Sequence, residues 1–421
     1  MGSFLAAAVE TRDPVVLIAR LTRSEPLINE RLVLPAANRV SFEFDTIDAR
    51  MTAEEARATI LGEADRSRLA LLKVLTTAEH FRYLSGAEEF RDGQWYSITL
   101  LPRGQLSGAF AWASSLGDDG YEENVPLVVD EIQYLFSEGD SPFAPVGAAV
   151  GNLRVLAQVI ADTCKFPERA IRKRREAKIL LGNMKVPQEI IVRDVGQASF
   201  CSALDAHGNE IFHLDAGWPI SYNKKTASSR PKLRVSDVPV ILSHWDWDHL
   251  HGYHSIHGLA GGMWIAPVQR LGPGAKRVAT TLANDDRLLG VCSTVILAGP
   301  VRLIRCKGLA GNLNQTGLSV QTTLQSGKTV LFMGDADYDL VPPTMSLLPD
   351  YIVATHHGAK FSGSVVLPHS GSGQCVVSVG KGNGYGHPSS VAIASHSSAG
   401  WSLEYTREWG GSPRGSRYLG P

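Results

Sequence analysis

Cysteine is scarce and scattered in this chain. Cys164, Cys201, Cys292, Cys306 and Cys375 are spread over 421 residues and form no C-x-x-C pair. An odd count at such wide spacing indicates neither a disulfide framework nor a cysteine zinc site, and the chain reads as a reduced cytoplasmic protein. Long apolar runs are missing as well: none approaches the roughly 18 residues that suggest a membrane span. The opening MGSFLAAAVETRDP has no basic lead and meets Glu10 early, so a secretory signal is not expected. The net charge is −1, which excludes a strong field of either sign over the whole molecule. A nucleic-acid partner would have to be held by a local patch.

Apolar material is plentiful, at 44% of residues against 20% charged. That balance suits a globular chain, and the length suggests two or three domains. Residues 1–185 mix helix and strand signals, which predicts an α+β domain. Residues 52–84 are rich in helix formers with apolar residues at helical spacing. QWYSITLLP (94–102) reads as a strand and VGNLRVLAQVIADTC (150–164) as a helix. KFPERAIRKRREAK (165–178) follows, with seven basic residues against two acidic. The plain reading is a solvated helix face, the sharper one a docking surface for a polyanion. This half carries no chemical constellation, and binding a protein partner, gating a site or sensing a signal are the roles open to it.

After Val186-Pro187 the texture changes. Short apolar runs recur, each closed by Gly, Asp or His: EIIVRDVG, EIFHLDAG, VPVILSHWD, MWIAPV, STVILAG, KTVLFMGDAD, YIVATHHG, QCVVSVGKGNGYGHP and WSLEYTRE. Buried strands with polar residues at their ends look like this. The expected class is α/β, a mixed-sheet sandwich with helices outside, over 187–415.

The strand-end residues form a metal-binding vocabulary. His244, Asp246, Asp248 and His249 follow one apolar run; Asp335 follows another; then come His356 and His357, and finally His387. Carboxylate oxygen and imidazole nitrogen suit zinc, manganese or iron, and mixed sets hold two ions. Two ions roughly 3.5–4 Å apart share a hydroxide nucleophile and stabilise a leaving oxygen, with Asp335 placed to bridge them. Each piece alone is weak, since Gly-Asp after a strand is commonly a turn. Four potential ligands within six residues are not readily explained by a solvated loop. His251, His254 and His257 read as surface or supporting residues, and Trp245 and Trp247 as packing or walls of the site.

Taken in order, these motifs resemble the metallo-β-lactamase superfamily, and more narrowly the C-terminal hydrolase domain of the ComEC family of DNA-uptake proteins. RDVGQAS with HLDAG, SHWDWDHLHG, NQTGLSV with TVLFMGDAD, ATHHGAKFS, SVGKGNGYGHPS and the closing LEYTREWG are similar to that family's ordered motifs. The resemblance covers about 187–415 and implies a metallo-β-lactamase-type αββα sandwich with two divalent ions, zinc or manganese. It assigns His244, Asp246, Asp248, His249, Asp335 and His356 as metal-site candidates, with His357 the alternative to His356. One ion would take His244, Asp246 and a further group, the other Asp248, His249 and His356. Asp248 and His387 are the expected catalytic residues, and His387 would protonate the leaving oxygen or bind phosphate. Asn314, Asn383 and Tyr385 are candidate substrate contacts.

Ala198 and Ser199 replace the family's Gly-Asp, and Ala359 replaces a Ser, without removing a ligand. The family's membrane channel is missing, so the expectation is a soluble cousin that does not import DNA. The leading function is a metal-dependent phosphodiesterase or nuclease acting on DNA or a nucleotide. The alternatives are a hydrolase of cyclic nucleotides or carboxylic esters and a non-catalytic partner-binding module. An intact set of buried carboxylates argues against the last, because such groups are costly to keep together unused.

Overall fold

The computed structural model describes residues 3–27, 39–102, 109–138, 148–171, 173–227, 233–342 and 348–421. The chain separates into two compact units, Met1–Phe166 with Arg270–Thr281, and Pro167–Gln269 with Leu282–Pro421. The division falls before the Val186-Pro187 boundary read from composition. The segment just after Phe166 folds as short helices that pack on strands of the second unit.

The first unit contains α1 (Phe4–Thr11), β1 (Val15–Pro26), β2 (Arg39–Asp48), α2 (Ala53–Leu61), β3 (Leu69–Thr77), α3 (Ala78–Ser85), β4 (Gln94–Pro102), β5 (Phe110–Ser115), β6 (Val125–Ser137) and α4 (Ala148–Thr163). Its strands close into an antiparallel barrel in the order β1-β2-β3-β5-β6-β4. Strand alternation puts Leu17, Ala19, Phe42, Phe44, Leu72 and Ile98 on one face, and they join one apolar core. The opposite face is buried but polar. Glu43 and Lys73 sit opposite each other in the ladder and pair at 3.0 Å. Asp45, fully buried, accepts hydrogen bonds from the backbone N–H groups of Gly274 (2.9 Å) and Ala275 (3.1 Å).

The helix signal over 52–84 holds at both ends, α2 and α3, but not between them. Thr52 and Glu55 form a capping box that starts α2, and Gly62 in the left-handed region ends it. The chain then becomes β3, hydrogen-bonded on both sides to β2 and β5. Leu, Ala and Lys favour helix only weakly, and two neighbouring strands override that preference.

The second unit contains α5 (Glu168–Ile171), α6 (Arg174–Gly182), β7 (Glu189–Val192), β8 (Cys201–Leu204), β9 (Glu210–Leu214), β10 (Val240–Ile241), α7 (Trp247–Leu250), α8 (Gly252–Ser255) and β11 (Trp264–Pro267). It continues with the end of α9 (Pro273–Asn284), then β12 (Leu288–Val291), β13 (Val295–Ala298), β14 (Val301–Arg305), β15 (Leu318–Thr323) and β16 (Thr329–Phe332). It closes with β17 (Tyr351–Val353), β18 (Gly373–Val377), α10 (Ser390–Ser398), β19 (Trp401–Tyr405) and β20 (Arg417–Leu419). Two seven-stranded sheets, β12-β11-β10-β9-β8-β7-β20 and β13-β14-β15-β16-β17-β18-β19, share one apolar core. All nine apolar runs quoted above fall on strands. The basic run proves tied down in part, with Arg169 and Lys173 paired to Asp286; Arg172 lies outside the described residues. Among the described residues no helix is long and apolar enough to cross a membrane.

Each sheet joins an antiparallel half to a parallel half. Strands β9 to β12 run parallel, as do β16 to β19. Parallel strands end on the same side, so the residues following β9 and β10 emerge together, as do those following β16, β17 and β18. Open α/β sheets commonly bind ligands at such carboxyl ends.

His213 on β9 carries a pH signature. It is fully buried, with Nδ1 2.9 Å from the Ser202 hydroxyl and Nε2 3.1 Å from the Ser236 carbonyl oxygen. Burial pushes its pKa down to about 4. A depressed histidine contributes stability that is full above its unfolded value near 6.5 and is lost as pH falls through the folded value. At about 1.4 kcal/mol per pH unit, the expected loss down to the folded value is on the order of 3 kcal/mol. Chemical denaturation across that window should show a shallower acid limb in His213→Gln than in the parent; equal slopes would refute the assignment.

Candidate metal centre

The site begins with a turn. After β9 the chain reads Asp215-Ala216-Gly217. The Ala216 N–H donates to the His249 carbonyl at 2.8 Å, and the Gly217 N–H donates to the Ser199 carbonyl at 2.7 Å. A Cβ on Gly217 would lie 2.1 Å from the Asp248 carbonyl oxygen, so only glycine lets the two segments approach this closely. The turn thereby fixes α7, which carries Asp248 and His249. Asp246 caps that helix, accepting from the Trp247 N–H at 2.7 Å. Trp245 anchors the loop behind it through Nε1, which donates to the Pro267 carbonyl at 3.0 Å.

The second sheet supplies the opposite side. Gly334, in the left-handed region, packs against Ser243 and carries the chain into Asp335. His356 and His357 both adopt positive φ, 47° and 54°, a costly conformation for two consecutive side chains and one that clusters at functional sites. It turns the two rings apart. His357 donates from Nδ1 to the Ser378 carbonyl at 2.8 Å and brings Nε2 to 3.2 Å from Asp248 Oδ2. His356 instead faces Asp335, Nε2 to Oδ2 3.5 Å.

Asp335 lies between two groups of donors. Its Oδ1 is 2.9 Å from His249 Nε2. Donor atoms of Asp248, His249, Asp335 and His357 all lie within 4.8 Å of one another. Its Oδ2 is 3.8 Å from His244 Nε2 and faces His356. His249 and His357 therefore stand together with Asp248, whereas His244 and His356 stand on the other side. The grouping read from the resemblance had His356 beside Asp248; the left-handed turn puts His357 there.

The proton positions test the fit to a metal ion. His249 Nδ1 is 2.7 Å from Asp215 Oδ2, and a carboxylate at that distance accepts a proton from the ring. His357 likewise spends its Nδ1 proton on a carbonyl. Both rings, when neutral, point an Nε2 lone pair at a carboxylate oxygen, a repulsive arrangement unless a cation lies between. A proton or a metal ion satisfies it. Burial works to lower the His249 pKa, but Asp335, Asp215 and Asp248 outweigh it and hold the group well above its ordinary value. Burial also opposes ionisation of Asp335, yet His249 and His356 hold its carboxyl well below the usual range. His244 is pushed down to about 3 by burial and by His249. Its Nδ1 meets the Ser243 hydroxyl at 3.0 Å, while its buried Nε2 makes no hydrogen bond. The residues fit an ion on chemistry and on placement.

The remaining candidates separate. Asn383 donates through Nδ2 to the carbonyls of Gly380 and His387, both at 2.8 Å, and accepts from the N–H groups of Tyr385 (3.2 Å) and His387 (3.0 Å). Tyr385 is buried, and its hydroxyl accepts from Asn223 at 3.1 Å. Both residues hold the loop that presents His387, whose ring is 5.5 Å from that of His356. Asn314 is nine-tenths buried with no hydrogen bond to its Oδ1. Gln269 ties its loop to the segment of His244 to His249, donating to Leu313 O (2.7 Å) and Thr316 Oγ1 (2.8 Å) and accepting from the Trp245 N–H (3.3 Å). His251 is fully buried, His254 stacks on Trp247, and His257 is exposed.

Asp215 is the residue that sequence reasoning passed over. Its Oδ1 accepts from the Ser243 N–H at 2.7 Å while Oδ2 holds His249. HLDAG carries the same strand-end signal as the other groups, but its Asp-Ala-Gly resembles simple turn punctuation. No protein-family model matches the chain, and no curated protein matches it.

Proposed function

We propose that the second unit is a metallo-β-lactamase-type αββα hydrolase domain, similar to that of the ComEC-type DNA-uptake proteins, that hydrolyses phosphodiesters such as DNA or a nucleotide. The observation that carries the reading is the pair of buried imidazoles, His249 and His357, locked by Nδ1 hydrogen bonds with Nε2 turned to carboxylates. Asp248, His249 and His357 would hold one divalent ion, His244 and His356 would stand at a second, and Asp335 would serve both. The carboxylate content favours manganese beside zinc. Such ions supply Lewis acidity and an ionised water near neutral pH.

The chain's own residues do the rest. Asp215 and the Ser378 carbonyl fix the tautomers of His249 and His357, so each offers the same nitrogen to the site. Asp246 and Gly217 keep α7 in place under Asp248. Asn383 and Tyr385 fix the loop of His387, which is the proposed proton donor to the leaving oxygen. The test is metal removal and return. Chelator-stripped protein is expected to lose phosphodiester turnover and regain it with manganese or zinc. The assay covers single- and double-stranded DNA, RNA, cyclic nucleotides, a generic phosphodiester and carboxylic esters. Absence of both metal retention and turnover would overturn the reading, and cleavage of carboxylic esters alone would move it to the small-ester alternative.

A further inference from the structure

Six of the tryptophans, Trp95, Trp218, Trp245, Trp247, Trp264 and Trp401, are no more than 4% exposed, whereas Trp409 is 39% exposed. It is nonetheless held in place. After β19 the Thr406 hydroxyl accepts from the Val379 N–H at 2.9 Å, which pins the chain beside the end of β18. Trp409 and Ser412 then exchange two backbone hydrogen bonds, 3.2 and 2.9 Å, around Gly410 and Gly411. Both glycines have positive φ, 55° and 86°, the requirement of a tight two-residue hairpin turn. The indole packs against Tyr405 at 5.0 Å between ring centroids, and the Arg407 guanidinium lies 4.2 Å from its centre.

That pair is linked to the candidate metal centre. Arg407 donates to the His387 carbonyl oxygen at 3.3 Å, the same oxygen that Asn383 holds. The His387 imidazole is in turn beside His356. Lys381, from the His387 loop, and Glu408 pair at 2.9 Å, so that loop is also tied to the residue just before the exposed indole. A preorganised aromatic ring beside a guanidinium, joined to the proposed hydrolytic centre through one loop, matches what an unpaired nucleobase on a phosphodiester strand requires.

We propose that Trp409, steadied by Arg407, is a stacking seat for a base of the substrate, and that this substrate is a single-stranded nucleic acid. The proposal rests on the hydrolase reading above and narrows it. Arg407 acts as a positioning residue for both the indole and the His387 loop. Base-paired nucleic acid keeps its bases stacked on one another, so a single aromatic platform selects unpaired strands.

The test is binding to the full chain in chelator, where no cleavage occurs. The probes are an end-labelled thymidine oligonucleotide and an abasic strand of the same length, followed by fluorescence anisotropy. The parent should bind the thymidine strand about tenfold or more tightly than the abasic one. Trp409→Ala should erase that difference, Trp409→Phe should restore most of it, and neither should change metal stoichiometry. Equal affinity of the parent for the two strands, no binding of either, or a Trp409→Ala protein that still discriminates would overturn the proposal. Metal-dependent hydrolysis of a small base-free phosphodiester is measured alongside. Its persistence after a failed binding result would remove the stacking seat and leave the hydrolase reading standing.

Discussion

Asp335→Asn is expected to lower phosphodiester turnover by about a thousandfold or more, the scale seen when an oriented charge-stabilising group is removed. Three imidazoles converge on this one carboxylate: His249 at 2.9 Å, His356 at 3.5 Å and His244 at 3.8 Å. Both donor groups lose their common member, so bound metal, measured by elemental analysis, should fall as well. The substitution keeps the side-chain shape but removes a carboxylate that His249 and His356 hold ionised, so the metal-free protein should lose some stability while remaining folded. Asp248 and Asp335 bring carboxylate oxygens within 4.8 Å of each other, and removing one charge relieves part of the repulsion between them. A saturating ion at a hundred times its Kd stabilises the parent by about 2.7 kcal/mol. The variant should lose that increment in a thermal melt. Unchanged turnover, or an unchanged ion-induced rise in Tm, would take Asp335 out of the site.

Asp215→Asn should weaken metal affinity by about 10- to 100-fold although Asp215 belongs to neither donor group, because carboxylates that orient a ligating histidine act on this scale. Its effect on pH carries the sharper signature. In the metal-free chain, burial lowers the His249 pKa while Asp335, Asp215 and Asp248 together raise it well above its ordinary value. An incoming ion must displace that proton, so affinity in the parent climbs as pH rises through neutrality. With Asp215 neutral, the proton on His249 is held less tightly, and the climb should flatten. Competition against a chromogenic chelator across neutral pH reads both the drop and the slope. A uniform drop with the parent's slope would mean that Asp215 only packs; no drop would remove it from the centre.

The sequence disclosed the second unit far better than the first, for a physical reason. Strands such as VPVIL and TVLFM are apolar along their whole length, because both faces of their sheets are covered. Polar residues follow at once, Ser243 and His244 after the first and, past Gly334, Asp335 after the second. In the barrel, β2 alternates Ser41, Phe42, Glu43, Phe44 and Asp45 with all five buried. An alternation of this kind ordinarily signals a solvated face, and nothing local shows that Lys73 will neutralise Glu43. The candidate metal residues were legible because carboxylate and imidazole are rare at the ends of apolar runs. Their grouping was not: the choice between His356 and His357 depends on two positive φ angles and on the Ser378 carbonyl. Asn383 and Tyr385 show the same limit. An amide and a phenol near a site read identically whether they face a substrate or hold a loop.

The assignment of Arg270–Thr281 to the first unit has a consequence for the order in which the protein is made. Domains generally fold as units as the chain emerges, N-terminal first. Here the barrel strands are complete once Ser137 has appeared, yet the N–H groups that satisfy buried Asp45 belong to Gly274 and Ala275. Those arrive only after β7 to β11 of the second unit have been synthesised. Until then the Asp45 carboxylate lacks these two hydrogen bonds, and a buried charge is costly to keep when its hydrogen bonds are incomplete. The nascent first unit therefore has to wait, partly finished, for a segment that its successor delivers.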